Sequence, residues 1–310
     1  MNCELFFTEN ENVRKVTEDQ KESCEGEITE TEMLNVLKTC KNNKSPGSDG
    51  FPAEFYKVFW NDIKTFLLKA INMAYHNGIL SNSQRHGVIS LLPKKDKNIL
   101  ELSNWRPITL INQDYKLASK CIAYRIKKVL PDIIHEDQTG YIKDRYIGEN
   151  INRIMNLIDY TDEQDIPALL VLIDFEKAFD SLEWNFIRKV LQYFNFGPSL
   201  LKWIDTLYTD IQNCVINNGW TSKAFSPSRG VRQGCPLSPY LFVLSIEILS
   251  IFIRNDSNIE GIKIDAHEFK ISQYADDTSL TLLASENNLT SAINVFKDFQ
   301  KNFWLKNKYE

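Results

Sequence analysis

Three carboxylates have the residue type and setting that suggest chemistry. Asp174 directly follows Ala168–Ile173 (ALLVLI), a continuous apolar run. Such a run predicts a strand buried on both faces, and a carboxylate at its C-terminal end would sit on a rigid element. Asp276 and Asp277 are adjacent in YADDTSLTLL, between an aromatic residue and a β-prone run. Neighbouring carboxylates repel, and a hard divalent cation, which takes carboxylate oxygens as ligands, would remove that cost. Each element also has a plainer reading, Asp174 as a strand-ending residue and the Asp pair as an exposed hairpin turn. The two elements together carry more. If strand and hairpin pair in one sheet, the three carboxylates can hold two metals about 3.5–4 Å apart for in-line phosphoryl or nucleotidyl transfer.

The flanking sequence supplies elements to position them. Thr29-x-x-Glu32 is a capping box ahead of Met33, Leu34, Val36 and Leu37. Lys41–Gly50 is a loop of turn residues, and Pro52 suits the first turn of a helix running through Phe55, Phe59, Ile63 and Ile71. Val88–Leu92 reads as a short strand. Asn112–Leu130 reads as a helix ended by Pro131, with another over Glu149–Asp159. After Asp174, helices are expected at Leu182–Phe194 and Pro198–Tyr208, with Gly197 near a C-cap position and Asp180 as a helix N-cap. Asn218-Gly219 predicts a hairpin turn, 229–236 a loop, and Ser238–Phe252 a helix. Strands near Ile262–Ile264 and Lys270–Tyr274 lead into the Asp pair. Ser279–Leu283 is the return strand, and a last helix is expected from Asn288 to Trp304.

Composition bounds the class. The chain has 310 residues, 43% hydrophobic and 25% charged, which excludes a disordered or collagen-like chain. Its six cysteines form no CxxC pair or zinc-ligand spacing and read as reduced thiols. No signal peptide is legible. The most apolar stretch, Leu241–Ile253, is 13 residues, shorter than the ~20 a membrane span needs, so no membrane partner is expected. Net charge is −5, but residues 1–32 alone carry ten acidic and three basic side chains. Between Arg85 and Arg145, twelve Lys/Arg stand against seven Asp/Glu. That basic stretch fits either a phosphate-binding surface or ordinary solvated helix faces.

Several long motifs in fixed order then carry a resemblance. Leu172–Ser181 (LIDFEKAFDS), Arg232–Pro239 (RQGCPLSP) and Tyr274–Asp277 (YADD) resemble the three palm motifs of reverse transcriptases. Arg106–Pro131, Gln138–Ile151 (QTGYIKDRYIGENI) and Lys44–Trp60 resemble the fingers motifs, and the stretch before them, of the non-LTR retrotransposon (LINE-type) branch. The resemblance covers roughly residues 28–300. It implies an α+β right-hand polymerase core, with an antiparallel palm sheet backed by helices and mostly helical fingers. It implies RNA-directed DNA polymerase activity with Mg²⁺, two per site, or Mn²⁺. The implied partners are an RNA template, a DNA primer or target and dNTPs, and the oligomeric state stays open. Asp174, Asp276 and Asp277 match the catalytic, metal-binding carboxylates, with the Phe175 backbone carbonyl as a further metal ligand. Phe179 matches the aromatic gate that favours dNTPs over rNTPs, a role compatible with core packing. Gln233 and Gly234 match the loop beside nucleotide and template. Lys143 and Arg145 match the region contacting the triphosphate, and a surface loop is the other reading of that pair. Trp105 and Arg106 are expected to build the fingers.

The expected division is an acidic, poorly ordered lead-in at 1–27, an N-terminal helical extension at 28–87, fingers at about 88–165 and palm at about 166–310. Two departures from the family pattern stand out. Phe303-Trp304-Leu305-Lys306 replaces a Ser-Gly-Leu-Lys turn, and no thumb follows or endonuclease precedes, so a truncated or decayed fragment is expected. The alternatives are a catalytically inactive remnant and an RNA-binding, maturase-like protein. The intact carboxylate triad favours an enzyme, and the LINE-type motifs argue against the maturase. An intracellular location, nuclear or cytoplasmic, is expected.

Overall fold

The computed structural model describes residues 6–7 and 13–301. The helices in chain order are α1 (Glu18–Cys24), α2 (Glu30–Lys38), α3 (Ala53–Val58), α4 (Trp60–Asn77), α5 (Asn82–Arg85), α6 (Gln113–Ile133), α7 (Ile147–Glu163), α8 (Ala178–Ser181), α9 (Trp184–Tyr193), α10 (Pro198–Tyr208), α11 (Ser238–Asn255) and α12 (Glu286–Phe299). The strands are β1 (His86–Pro93), β2 (Trp105–Ile111), β3 (Ala168–Ile173), β4 (Gln212–Asn217), β5 (Trp220–Thr221), β6 (Ile262–Ile264), β7 (His267–Phe269), β8 (Ile271–Tyr274) and β9 (Asp277–Leu283). The chain is thus α+β, and it divides into two compact units. Of the described residues, an N-terminal unit comprises 17–126 and 196–238, and a carboxylate unit comprises 6–7, 13–16, 127–195 and 239–301. Both are discontinuous, so neither coincides with the segments 28–87, 88–165 and 166–310, which stay a division by motif.

In the N-terminal unit a four-stranded sheet runs β2-β1-β4-β5. β1 is antiparallel to β2 and parallel to β4. The acidic lead-in departs from expectation from Thr17 onward. Thr17 and Gln20 form a capping box on α1, and Cys24 and Ile28 are buried. A buried arginine fixes this segment, because a desolvated guanidinium must satisfy its donors. Arg125 donates to the carbonyls of Cys24, Glu25, Gly26 and Glu27, and pairs with Glu32 at 2.8 Å. The single helix expected after Pro52 is two, broken at Phe59. Gly197 is the N-cap of α10, with an ordinary negative φ, and not a C-cap.

The carboxylate unit holds a three-stranded antiparallel sheet, β3-β9-β8, and the β6-β7 hairpin. β3 is not buried on both faces as its apolar run implied. It is an edge strand whose exposure alternates, with Leu170 43% and Leu172 75% exposed. A run of aliphatic residues reads as doubly covered, but here one face opens onto a cavity described below. Asp180 lies inside the single turn α8, and Glu183 takes the N-cap of α9. Pro131 sits within α6, which continues to Ile133. α11 is 18 residues long and, by length and composition alone, apolar enough to cross a membrane. Its residues Phe242, Ile246, Leu249 and Ile253 are instead fully buried in the protein. α12 is capped by the Ser285 side chain and ends at Phe299; residues 303–306, with Lys306, lie outside the described residues.

Candidate active site

The register of the carboxylate sheet brings the three aspartates to one end. Ile173, the last residue of β3, pairs with Thr278 of β9, and Tyr274 of β8 pairs with Asp277. Continuing the β3–β9 register by one residue sets Asp174 opposite Asp277. Asp276 is the second residue of the two-residue loop between β8 and β9. Asp174 and Asp277 are exposed and line one cavity of about 380 Å³, with Ile147, Ile151, Leu172 and Thr278. Asp276 is partly buried. Burial pushes its carboxyl above the ordinary aspartate range, and the charges of Asp277 and Asp174 push it the same way. The three groups therefore feel one another as like charges. Among the described residues no three carboxylate, imidazole or thiol side chains already converge as a ready metal-binding group.

The loop bearing Asp276 is strained and braced. Ala275 has φ +56°, while Asp276 stays negative, the sign pattern of a type II′ turn whose first position normally takes glycine. For alanine this conformation costs on the order of 1 kcal/mol. The brace comes from residues 137–140, which run beside β8. Gln138 pairs with Gln273 as a parallel bridge, the Gln273 amide donates to Asp137 O at 2.8 Å, and the Thr139 amide donates to Gln273 O at 2.9 Å. The fully buried Gln138 carboxamide accepts from the Ala275 amide at 2.8 Å and donates to the Ala275 carbonyl at 3.2 Å. Asn150 of α7 adds a bond to Gln273 O at 2.6 Å. Gly140 approaches so closely that a Cβ there would collide with the Ala275 backbone. Tyr141 is itself at φ +60°, an outlier for an aromatic residue. Its hydroxyl is raised above the usual tyrosine range by burial and by the Asp276 charge. Sequence reasoning missed Gln138 and Asn150, because their partners lie more than a hundred residues away along the chain.

The other predicted residues divide. The Phe179 ring stacks on the fully buried Phe242, 4.5 Å between centroids and 15° between planes, so it anchors α8 to the core. Phe175 packs its ring against Phe296 at 6.1 Å. Lys143 is exposed and pairs with Asp144 at 3.5 Å. Arg145 is engaged by the backbone. Its guanidinium donates to the carbonyls of Pro131, Ile134, His135 and Gln138 at 2.6–3.1 Å, closing the end of α6. Gln233 and Gly234 belong to the N-terminal unit, where the Gln233 carbonyl accepts from the Thr109 amide of β2 at 2.9 Å. Gly234 has φ +109°, and a Cβ there would stand 2.7 Å from Thr109 O, so this position requires glycine. Trp105 and Arg106 open β2.

Residues 92–308 match the family model of "Reverse transcriptase (RNA-dependent DNA polymerase)". The chain is 35% identical over 86% of its length to the "Transposon TX1 uncharacterized 149 kDa protein" of Xenopus laevis, spanning 20% of that protein. It is 22% identical over 89% of its length to the "RNA-directed DNA polymerase from mobile element jockey" of Drosophila melanogaster, spanning 30% of it. An apo telomerase structure from Candida tropicalis aligns with a TM-score of 0.49 and 15% identity, over 83% of this chain and 56% of that one.

Proposed function

Because the chain belongs to the reverse transcriptase family, we propose that it copies RNA by adding dNTPs to the 3′-hydroxyl of a DNA primer, within a non-LTR retrotransposon protein. The observation that carries this reading is the strand register, which brings Asp174, Asp276 and Asp277 to one end of the β3-β9-β8 sheet, where the charges of Asp277 and Asp174 add to burial in raising the Asp276 carboxyl. That donor set fits hard divalent cations: three carboxylates, no thiol or imidazole among them, in a place where positive charge relieves repulsion. Asp174, Asp276 and Asp277 would hold Mg²⁺, two per site, or Mn²⁺, with the Phe175 carbonyl a further ligand. When bound, such ions supply Lewis-acid activation of the attacking hydroxyl and stabilise charge on the leaving pyrophosphate.

The protein's own residues do the rest. The edge strand β3 offers the exposed apolar side chains Leu170 and Leu172 beside the carboxylates, a surface suited to the sugar and base faces of a primer–template end. Phe179, locked by Phe242, offers a rigid ring against a ribose 2′-hydroxyl. Lys143 offers an exposed cation for the triphosphate. Base choice comes from template pairing, so the protein reads duplex shape and backbone. The same proposal sets its action inside the cell, nuclear or cytoplasmic, in keeping with the five free cysteines among the described residues.

The test is primer extension on an RNA template with Mg²⁺. The full chain is expected to incorporate dNTPs, and Asp276→Ala to lose at least ~10³-fold of that rate, because a metal site contributes several kcal/mol to such a transition state. Extension that persists unchanged in Asp276→Ala would refute the reading.

A further inference from the structure

We infer that Gln138 is a positioning residue: its carboxamide holds the Ala275–Asp276 turn in its left-handed form and so sets where the Asp276 carboxylate stands. The inference rests on the polymerase reading and adds a part to it. β8 and β9 alone close the turn only through the Tyr274–Asp277 pair, and an alanine at φ +56° disfavours the conformation that pair leaves it. Gln138 supplies what the turn lacks. One carboxamide oxygen accepts from both the Ala275 and Gly140 amides, each at 2.8 Å, while its nitrogen donates to the Ala275 carbonyl. A carboxamide offers an acceptor and a donor together at neutral charge and at every ordinary pH. A glutamate would lose the donor while ionised and would add a fourth negative charge near the three aspartates.

Gln138 is itself immobilised. Its carbonyl accepts from Arg145, and the adjacent Asp137 and Thr139 are bonded to Gln273 of β8. The absent side chain at Gly140 lets this strut lie directly against the turn. Strain held by a surrounding lattice of bonds is the pattern found where a functional group must be aimed.

The test uses the full chain with Gln138→Ala, the volume-keeping Gln138→Met, and the double variant Gln138→Ala/Ala275→Gly. In both single variants the Ala275 amide is expected to exchange hydrogen about tenfold faster, the loss of roughly one hydrogen bond's stabilisation. The amides of Leu170 and Thr281, in the β3–β9 ladder, keep their rates. Mn²⁺ binding, read by electron paramagnetic resonance, weakens, while the KM for dNTP holds. Glycine takes positive φ without penalty, so Ala275→Gly in the Gln138→Ala background restores Mn²⁺ binding. Unchanged Ala275 exchange would overturn the inference. So would a uniform rise in exchange across the sheet with no rescue by glycine, the mark of a merely structural residue. A wild-type chain that binds Mn²⁺ and extends no primer would sink the polymerase reading, while the exchange and binding data would still decide the role of Gln138.

Discussion

Asp276 makes the clearest residue-scale demand. Its carboxyl group is partly buried beside two other carboxylates, and its folded pKa lies above that of the unfolded chain, first through burial and then through Asp277 and Asp174. For an acid with a raised pKa, the ionised form costs stability at every pH above the folded value, and the cost fades as pH falls through it. Asp276→Asn is therefore expected to raise Tm at pH 7.5 without divalent cations, and to lose that advantage near pH 3–4, where the wild-type carboxyl is protonated. Added Mg²⁺ should raise the wild-type Tm more than that of the variant. Scanning calorimetry across pH reads both effects, and a lower Tm for Asp276→Asn at pH 7.5 would contradict them. At Phe179 the stacked ring predicts that Phe179→Val relaxes discrimination against rNTPs roughly tenfold or more, the scale of one pocket contact. Unchanged selectivity in single-nucleotide incorporation would count against the gate.

At the scale of elements, Arg145 separates what the sequence says from what the backbone does. Read as a triphosphate contact, it should affect substrate binding. Bonded to four carbonyls at and just after the end of α6, it should affect folding. Arg145→Ala is expected to cost about 2 kcal/mol, since charge-assisted bonds to backbone are lost. Arg145→Lys should recover part of it, with the KM for dNTP little changed. A raised KM at wild-type Tm would restore the triphosphate role. The carboxylate strands and their hairpin were legible because the apolar run, the adjacent aspartates and the β-prone return strand are local signals. Arg145 and Gln138 were not legible as scaffold, because residue type does not report which distant carbonyls surround a side chain. The α1 lead-in was misread for another reason. Its acidic composition outweighed Thr17-x-x-Gln20, a capping box present in the sequence. The burial of β3 was overestimated because a uniform aliphatic run cannot say which strand ends up at a sheet edge.

At the scale of the whole molecule, a buried ion network in the carboxylate unit makes stability depend on pH. In the carboxylate unit Asp137 is bonded to His135 at 2.9 Å, Arg254 at 3.1 Å and Arg153 at 3.2 Å, and Arg254 also pairs with the buried Glu247. Burial alone would raise the Asp137 pKa, but the His135 hydrogen bond and the Arg254 and Arg153 charges hold it below the ordinary range. A carboxylate with a depressed pKa lends stability above its unfolded value of ~3.9, and loses it as pH falls through the folded one. Wild type should thus lose stability steeply below about pH 4, and Asp137→Asn, less stable at pH 7, should show a flatter acid limb in urea melts. Equal slopes would remove the network from the account. The central claim is that Asp174, brought by β3, and the Asp276–Asp277 hairpin share a divalent cation. Its most direct test is a Mn²⁺ titration of the full chain followed by electron paramagnetic resonance, comparing wild type with Asp174→Asn. The account predicts saturable binding in the wild type and its loss in the variant at a Tm no lower than that of the wild type. Equal binding in both would show that Asp174 is no part of the site.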